Sequence, residues 1–152
     1  MLKRITTLLI FIFSVGSLIA QNQQDLFHLA SYSSNMADAA EVVAYDPSSQ
    51  HVFFTSNGAN TLTILELSDP SNPTLFLDVD LSSYGGGPNS VAVANGLVAV
   101  AVENEVKTDP GSVLFFDTDG TFITSVQVGA LPDMVAFSPD FSKVLTADEG
   151  VR

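Results

Sequence analysis

The sequence predicts an all-β fold: a β-propeller of four-stranded antiparallel blades of the YVTN/WD40 kind, with about two and a half blades present. Three observations predict it. Short strand-like runs succeed one another with turn signals between them. Helical periodicity is nearly absent; Ala37 to Ala44 comes nearest, and its second half reads better as a strand. A unit of strand, turn and strand recurs, starting near residues 41, 90 and 133. Its steps of 49 and 43 residues are those of propeller blades.

Taken in order, the chain opens with Lys3 and Arg4, an almost unbroken apolar run from Ile5 to Ile19, and Ala20 before Gln21-Asn22-Gln23-Gln24. This is the layout of a Sec signal peptide over residues 1–20, cut after Ala20. An apolar run of about fifteen residues falls short of the roughly twenty that a membrane span needs. Without a cysteine it is not a lipoprotein signal. Export to the periplasm, the outer surface or the medium is therefore expected, with no transmembrane span left after cleavage. Residues 21–152 are then the N-terminal part of the propeller domain.

Leu26–Tyr32 reads as a strand that in a complete propeller pairs with the last blade. Glu41–Tyr45, His51–Thr55, Thr61–Leu67 and Thr74–Leu81 make the first full blade. Ser90–Ala94, Leu97–Glu103, Ser112–Asp117 and Phe122–Val128 make the second. Met134–Phe137 and Lys143–Ala147 begin a third. Asp46-Pro47, Asn57-Gly58, Asp69-Pro70, Asn95-Gly96, Asp109-Pro110-Gly111, Asp119-Gly120 and Ser138-Pro139-Asp140 divide them. Asn95-Gly96 is the signature of a two-residue hairpin loop with φ > 0 at both positions. Gly85-Gly86-Gly87-Pro88-Asn89 precedes a strand, so it is a crossing between blades and not a phosphate loop.

The repeat frame sets Glu41, Ser90 and Asp133 in equivalent places, each opening an inner strand. Inner strands lie between neighbouring blades, which accounts for the apolar run Leu97–Val102. The expectation is the N-terminal piece of a longer propeller, whose remaining blades are its partners. The alternative is a short protein that closes by oligomerising. In this frame a chain with an open blade face exposes Val91, Val93, Leu97, Val98 and Val100 and self-associates.

Seventeen acidic residues face five basic ones, for a formal charge of −12. Once residues 1–20 are removed only Lys107, Lys143 and Arg152 remain as bases, and the charge is −14. Such a surface repels nucleic acid and anionic lipid and favours cations. With 46% hydrophobic and 14% charged residues the chain is not of the disordered class. The lack of cysteine excludes disulfides, zinc–thiolate centres and thiol catalysis.

Several phrases resemble one family. They are Ala40-Glu41-Val42-Val43-Ala44-Tyr45-Asp46, Gly87-Pro88-Asn89-Ser90-Val91-Ala92-Val93, Lys107-Thr108-Asp109-Pro110-Gly111, Val128-Gly129-Ala130-Leu131-Pro132-Asp133-Met134 and Ala147-Asp148-Glu149-Gly150. Together they resemble the choice-of-anchor I domain of bacterial surface proteins, related to mesenchyme-specific cell surface glycoproteins. The resemblance implies a large secreted propeller, carried to the cell surface and held by varied C-terminal anchors. It implies no catalytic residues.

Asn57, Glu103, Glu105, Asp148 and Glu149 follow the second strands of successive blades. Propeller geometry gathers such positions at the mouth of the central channel. Glu103, Glu105, Asp148 and Glu149 are therefore the candidate metal ligands, and carboxylates with amide oxygens suit Ca²⁺. Asp117-Thr118-Asp119-Gly120 lacks the rest of a calcium loop and reads as a β-turn. Asp133 is placed to face the channel or to cap the turn, and the turn is the favoured expectation. His28 and His51 have no metal-ligand spacing, and no Gly-x-Ser-x-Gly elbow occurs. The reading is an exported surface module that binds or builds, with no catalysis of its own. Its rivals are a calcium-dependent phosphoesterase completed by further blades, and a calcium- or mineral-binding adhesion protein.

Overall fold

Among the described residues, strands hydrogen-bond only to antiparallel neighbours, in sheets that follow sequence order. The computed structural model describes residues 26–34 and 39–150; the expected signal peptide at residues 1–20 lies outside them. The first sheet is β1 (Ala39–Asp46), β2 (His51–Ser56), β3 (Thr61–Glu66) and β4 (Thr74–Asp80). The second is β5 (Gly87–Ala94), β6 (Leu97–Glu103), β7 (Pro110–Asp117) and β8 (Phe122–Ala130). The third is the pair β9 (Pro132–Phe137) and β10 (Val144–Asp148). These are two complete four-stranded blades and the inner half of another, as the repeat requires. Among the described residues no helix is long and apolar enough to cross a membrane.

The first strands of the three blades pack side by side, β1 on β5 and β5 on β9, and so form the inner wall. The second strands carry the core. Along β6, Val98, Val100 and Val102 face the first blade and join Phe53, Leu62, Ile64, Leu81, Leu114 and Phe116. Ala99 and Ala101 point the other way and meet Val113 and Val135 of the second and third blades. Period-two alternation thus buries both faces of one strand, which is why it reads as continuously apolar. The outer strands β4 and β8 are mostly exposed.

Turn chemistry follows the sequence closely. Asn95 and Gly96 take φ of 51° and 77°, the left-handed pair that a two-residue hairpin demands. Asp46, Asp69, Asp117 and Asp140 accept hydrogen bonds from backbone amides two to four residues ahead, closing their turns. Asp117-Thr118-Asp119-Gly120 is a β-turn, with Gly120 at φ 84°.

Three expectations are corrected. Leu26–Tyr32 forms no strand. Tyr32 lies against a blade face and not along a sheet edge, its ring 6.3 Å from that of Phe54, so it has no ladder to join. The repeat frame moves by one residue in the second blade. The ladders carry bulges at Asn89, between Pro88 and Ser90, and at Asp133, between Pro132 and Met134. Val43, Val91 and Val135 are then equivalent, and Asn89, not Ser90, stands with Glu41 and Asp133. An extra bulged residue slips past matching on the apolar residues alone. Finally, Val91, Val98 and Val100 are buried between blades. The open apolar surface is instead Val43 and Tyr45 on the first blade, and Met134 and Leu145 on the third.

Candidate functional site

The bulge at the start of β5 turns Asn89 out of the ladder, toward the ends of the second strands. Its carboxamide joins three blades. Asn57 Nδ2, just past β2, donates to Asn89 Oδ1 at 3.1 Å. Asn89 Nδ2 donates to Glu103 Oε2 at 3.3 Å, within its own blade, and to the Pro132 carbonyl of the third blade at 3.2 Å. Glu103 is 6% exposed. Its other oxygen, Oε1, lies 3.3 Å from Lys107 Nζ one turn of loop onward. A buried carboxylate needs such partners, since an unpaired one costs several kcal/mol.

The glycine crossing makes this approach feasible. A Cβ on Gly87 would sit 2.8 Å from Asn57 Nδ2, and one on Gly85 would meet the Glu103 carbonyl oxygen. Asn60 Nδ2 donates to the Gly85 carbonyl at 3.0 Å, fixing the crossing from the other side. Around the β2–β3 hairpin, Thr55 Oγ1, Ser56 Oγ, Asn60 Oδ1 and Thr61 Oγ1 are buried and have no hydrogen-bond partner among the described residues.

The remaining candidate ligands are spread out. Glu105 is exposed beyond β6. Asp148 and Glu149 are exposed at the end of β10, where Asp148 Oδ2 accepts from the Gly129 amide at 3.1 Å and the Glu149 amide donates to the Leu131 carbonyl. The structure links Asn57 to Glu103 through Asn89. Among the described residues, no three His, Asp or Glu side chains are gathered to hold a metal. Asp133 is exposed at its bulge, the second residue of β9, and among the described residues it caps no turn.

Asn89 is the site residue that sequence reasoning missed. The signal was its repeat partner: Pro132-Asp133 stands where Pro88-Asn89 does, with a polar residue after proline in both.

Several acids are already committed to local structure. At Asp46 burial works to raise the carboxyl pKa, but bonds from the Ser48 hydroxyl and from the amide and hydroxyl of Ser49 outweigh it and hold it below the ordinary value. Ser71 does the same for Asp69, Ser82 for Asp80, and Ser138 with Ser142 for Asp140. Glu66 is lowered first by the Ser68 amide and hydroxyl, and less by His51. His51 itself is buried; its Nδ1 lies 2.8 Å from the Thr118 carbonyl of the second blade, and its ring packs on Phe76 at 4.5 Å. His28 is exposed and bonds Ser31.

Blades of four antiparallel strands, arrayed with their first strands inward, define a β-propeller. Solved structures bear this out. Hydrazine synthase from Kuenenia stuttgartiensis is similar with a TM-score of 0.61 and 15% identity, over 74% of this chain and 30% of that one. A luciferin-regenerating enzyme is similar with a TM-score of 0.59 and 16% identity, over 80% of this chain and 40% of that one. The chain thus spans well under half the length of either, and at these identities the likeness is one of fold. No curated protein matches. Residues 41–152 match the choice-of-anchor I domain, and the chain belongs to that family.

Proposed function

We propose that this chain is part of an exported propeller displayed at the cell surface or released, where it serves as a binding or structural module without catalysis of its own. Further blades of a longer polypeptide are its natural partners. The observation that carries this reading is the family match over residues 41–152. The use of polar groups at the blade ends supports it. Asn57, Asn89 and Glu103 are spent on stitching blades together. Export is supported by the charged and then apolar layout of residues 1–20. The test is surface labelling of intact cells. A membrane-impermeant amine reagent and protease shaving should reach the protein without lysis, and its N terminus should read from Gln21. A cytoplasmic protein that retains Met1 would refute the reading.

A second reading, diffuse Ca²⁺ association in adhesion or mineral contact, is favoured by the exposure of Glu105, Asp148 and Glu149 on a chain with formal charge −12. Such binding is weak, multiple and screened by salt. Equilibrium dialysis against Ca²⁺ at low and high salt distinguishes it from a single tight site. The phosphoesterase alternative is checked on the same preparation. Ca²⁺-dependent hydrolysis of p-nitrophenyl phosphate would displace the structural reading.

A further inference from the structure

The chain contains two Asn-Gly pairs, Asn57-Gly58 and Asn95-Gly96. Such a pair can lose the side-chain amide without any enzyme, because glycine puts no Cβ in the way of its own backbone nitrogen. That nitrogen attacks Cγ of the asparagine and gives up its proton. The Cγ–Nδ2 bond breaks, the leaving nitrogen takes the proton away as ammonia, and a cyclic imide closes. Water then opens either carbonyl–nitrogen bond of the imide. The product is aspartate or, with an added methylene in the main chain, isoaspartate. Water is the sole co-reactant. The reaction does need a carboxamide that can swing over the next backbone nitrogen.

The fold treats the two pairs in opposite ways. Asn95 and Gly96 are the whole loop of the β5–β6 hairpin, and both are exposed. Among the described residues nothing hydrogen-bonds the Asn95 carboxamide. A Cβ placed on Gly96 would meet nothing within 4 Å, so the tip has room to move. Asn57 is half-buried, and its carboxamide is held on two sides. Its Nδ2 donates to Asn89 Oδ1 at 3.1 Å. The Gly87 backbone lies against it so closely that a Cβ there would sit 2.8 Å from Nδ2, 3.0 Å from Cγ and 3.1 Å from Oδ1. Cγ of Asn57 can swing over the Gly58 nitrogen only by giving up the bond to Asn89 and leaving Gly87.

We infer that Asn95 is a site of spontaneous amide hydrolysis in the folded protein, and that the carboxamide bridge at the blade ends shields Asn57 from the same reaction. Conversion at Asn95 adds a negative charge at a loop tip where nothing packs on Gly96. Conversion at Asn57 sets a carboxylate against Asn89 Oδ1 and removes the donor that joins the first blade to the second. The bridge therefore preserves one of its own members. Asn57 reacts only while the junction is locally open, so its rate of conversion reports how often blades one and two part there. Both junction partners lie in complete blades, and the inference holds whatever the module binds.

The test is peptide mapping by mass spectrometry of the purified chain, incubated in mildly alkaline buffer with and without concentrated urea. In urea the two pairs should convert at similar rates, which sets the intrinsic reactivity of each. In native buffer Asn95 should convert to a mixture of aspartate and isoaspartate, and Asn57 should lag several-fold or more behind it. Gly96→Ala should slow conversion at Asn95 alone. Asn89→Ala, with circular dichroism confirming that it is folded, should raise the rate at Asn57 several-fold and leave that at Asn95 unchanged. Urea below the unfolding midpoint should do the same to wild type, which tests the shielding without a substitution. Native rates that are equal at the two sites, or an Asn95 slower than Asn57, would overturn the inference. So would a rate at Asn57 that neither the folded Asn89→Ala variant nor mild urea raises.

Discussion

Replacing Asn89 with alanine tests whether three blades are locked through one carboxamide. The side chain makes two bonds to neutral partners and one to a carboxylate, at 3.1, 3.2 and 3.3 Å. Neutral bonds contribute about 0.5–1.5 kcal/mol net and charge-assisted ones about 1.5–3 kcal/mol. These lengths sit at the long end of the usual range, so the lower figures apply. Asn89→Ala should therefore cost about 2.5 kcal/mol. With an m-value near 2 kcal/mol/M, the urea midpoint falls by about 1 M. Asn89→Asp separates donor chemistry from size. It keeps the volume, loses both donated bonds and sets a second carboxylate beside Glu103. Mutual repulsion raises carboxyl pKa values in the folded state above their unfolded values. That penalty is absent below the unfolded pKa, about 4, and grows as pH rises. Asn89→Asp should thus be less stable than Asn89→Ala at pH 7 and converge with it near pH 4. Urea titrations followed by circular dichroism, at protein concentrations where the chain is monomeric, measure both. An alanine variant within about 0.5 kcal/mol of wild type would show that the bridge carries no stability. An Asn89→Asp variant as stable as wild type at pH 7 would refute the role given to the donated bonds.

Two further outcomes follow from the same geometry. Gly85→Ala should be far more damaging than Gly96→Ala in thermal melts: the first Cβ meets the Glu103 carbonyl, while the second meets nothing and carries only the strain of φ 77°, about 1–2 kcal/mol. Asp46, held below its ordinary pKa, adds stability above its unfolded pKa and loses it as pH falls through the folded value; the stability gap between wild type and Asp46→Asn should close between about pH 5 and pH 2.

The strands were legible because each carries its own evidence. Asn95-Gly96 forces a hairpin whatever surrounds it, and Leu97–Val102 is apolar because both its faces are covered. The open faces were misjudged for the opposite reason. Val91, Val98 and Val100 look like any exposed valines until blade one is known to lie on them. Pattern shows which residues share a face, but not which neighbour takes that face. The strand at Leu26–Tyr32 failed because propensity needs an edge to act on, and the segment meets a face. Glu103 was legible as an acid at the end of its strand, but its amide partner was missed. A bulge adds a residue without disturbing the hydrophobic pattern around it, so the frame shifted by one in the second blade.

That shifted frame gives the chemistry of the blade ends a simple logic. The bulged place holds Glu41, Asn89 and Asp133 in successive blades. Only the amide can both accept from the blade before and donate to the blade after. Asn89 does both, accepting from Asn57 of the first blade and donating to Pro132 of the third. A carboxylate in the same place cannot donate to a carbonyl. Glu41 and Asp133 are exposed acids on the two flanking blades. A donor from an adjoining blade, or a cation, would complete them where Asn89 completes itself. Asp133→Asn separates these outcomes. If a cation is what Asp133 attracts, the variant loses Ca²⁺ bound in equilibrium dialysis at low salt. If Asp133 waits for a donor, Ca²⁺ binding stays as in wild type.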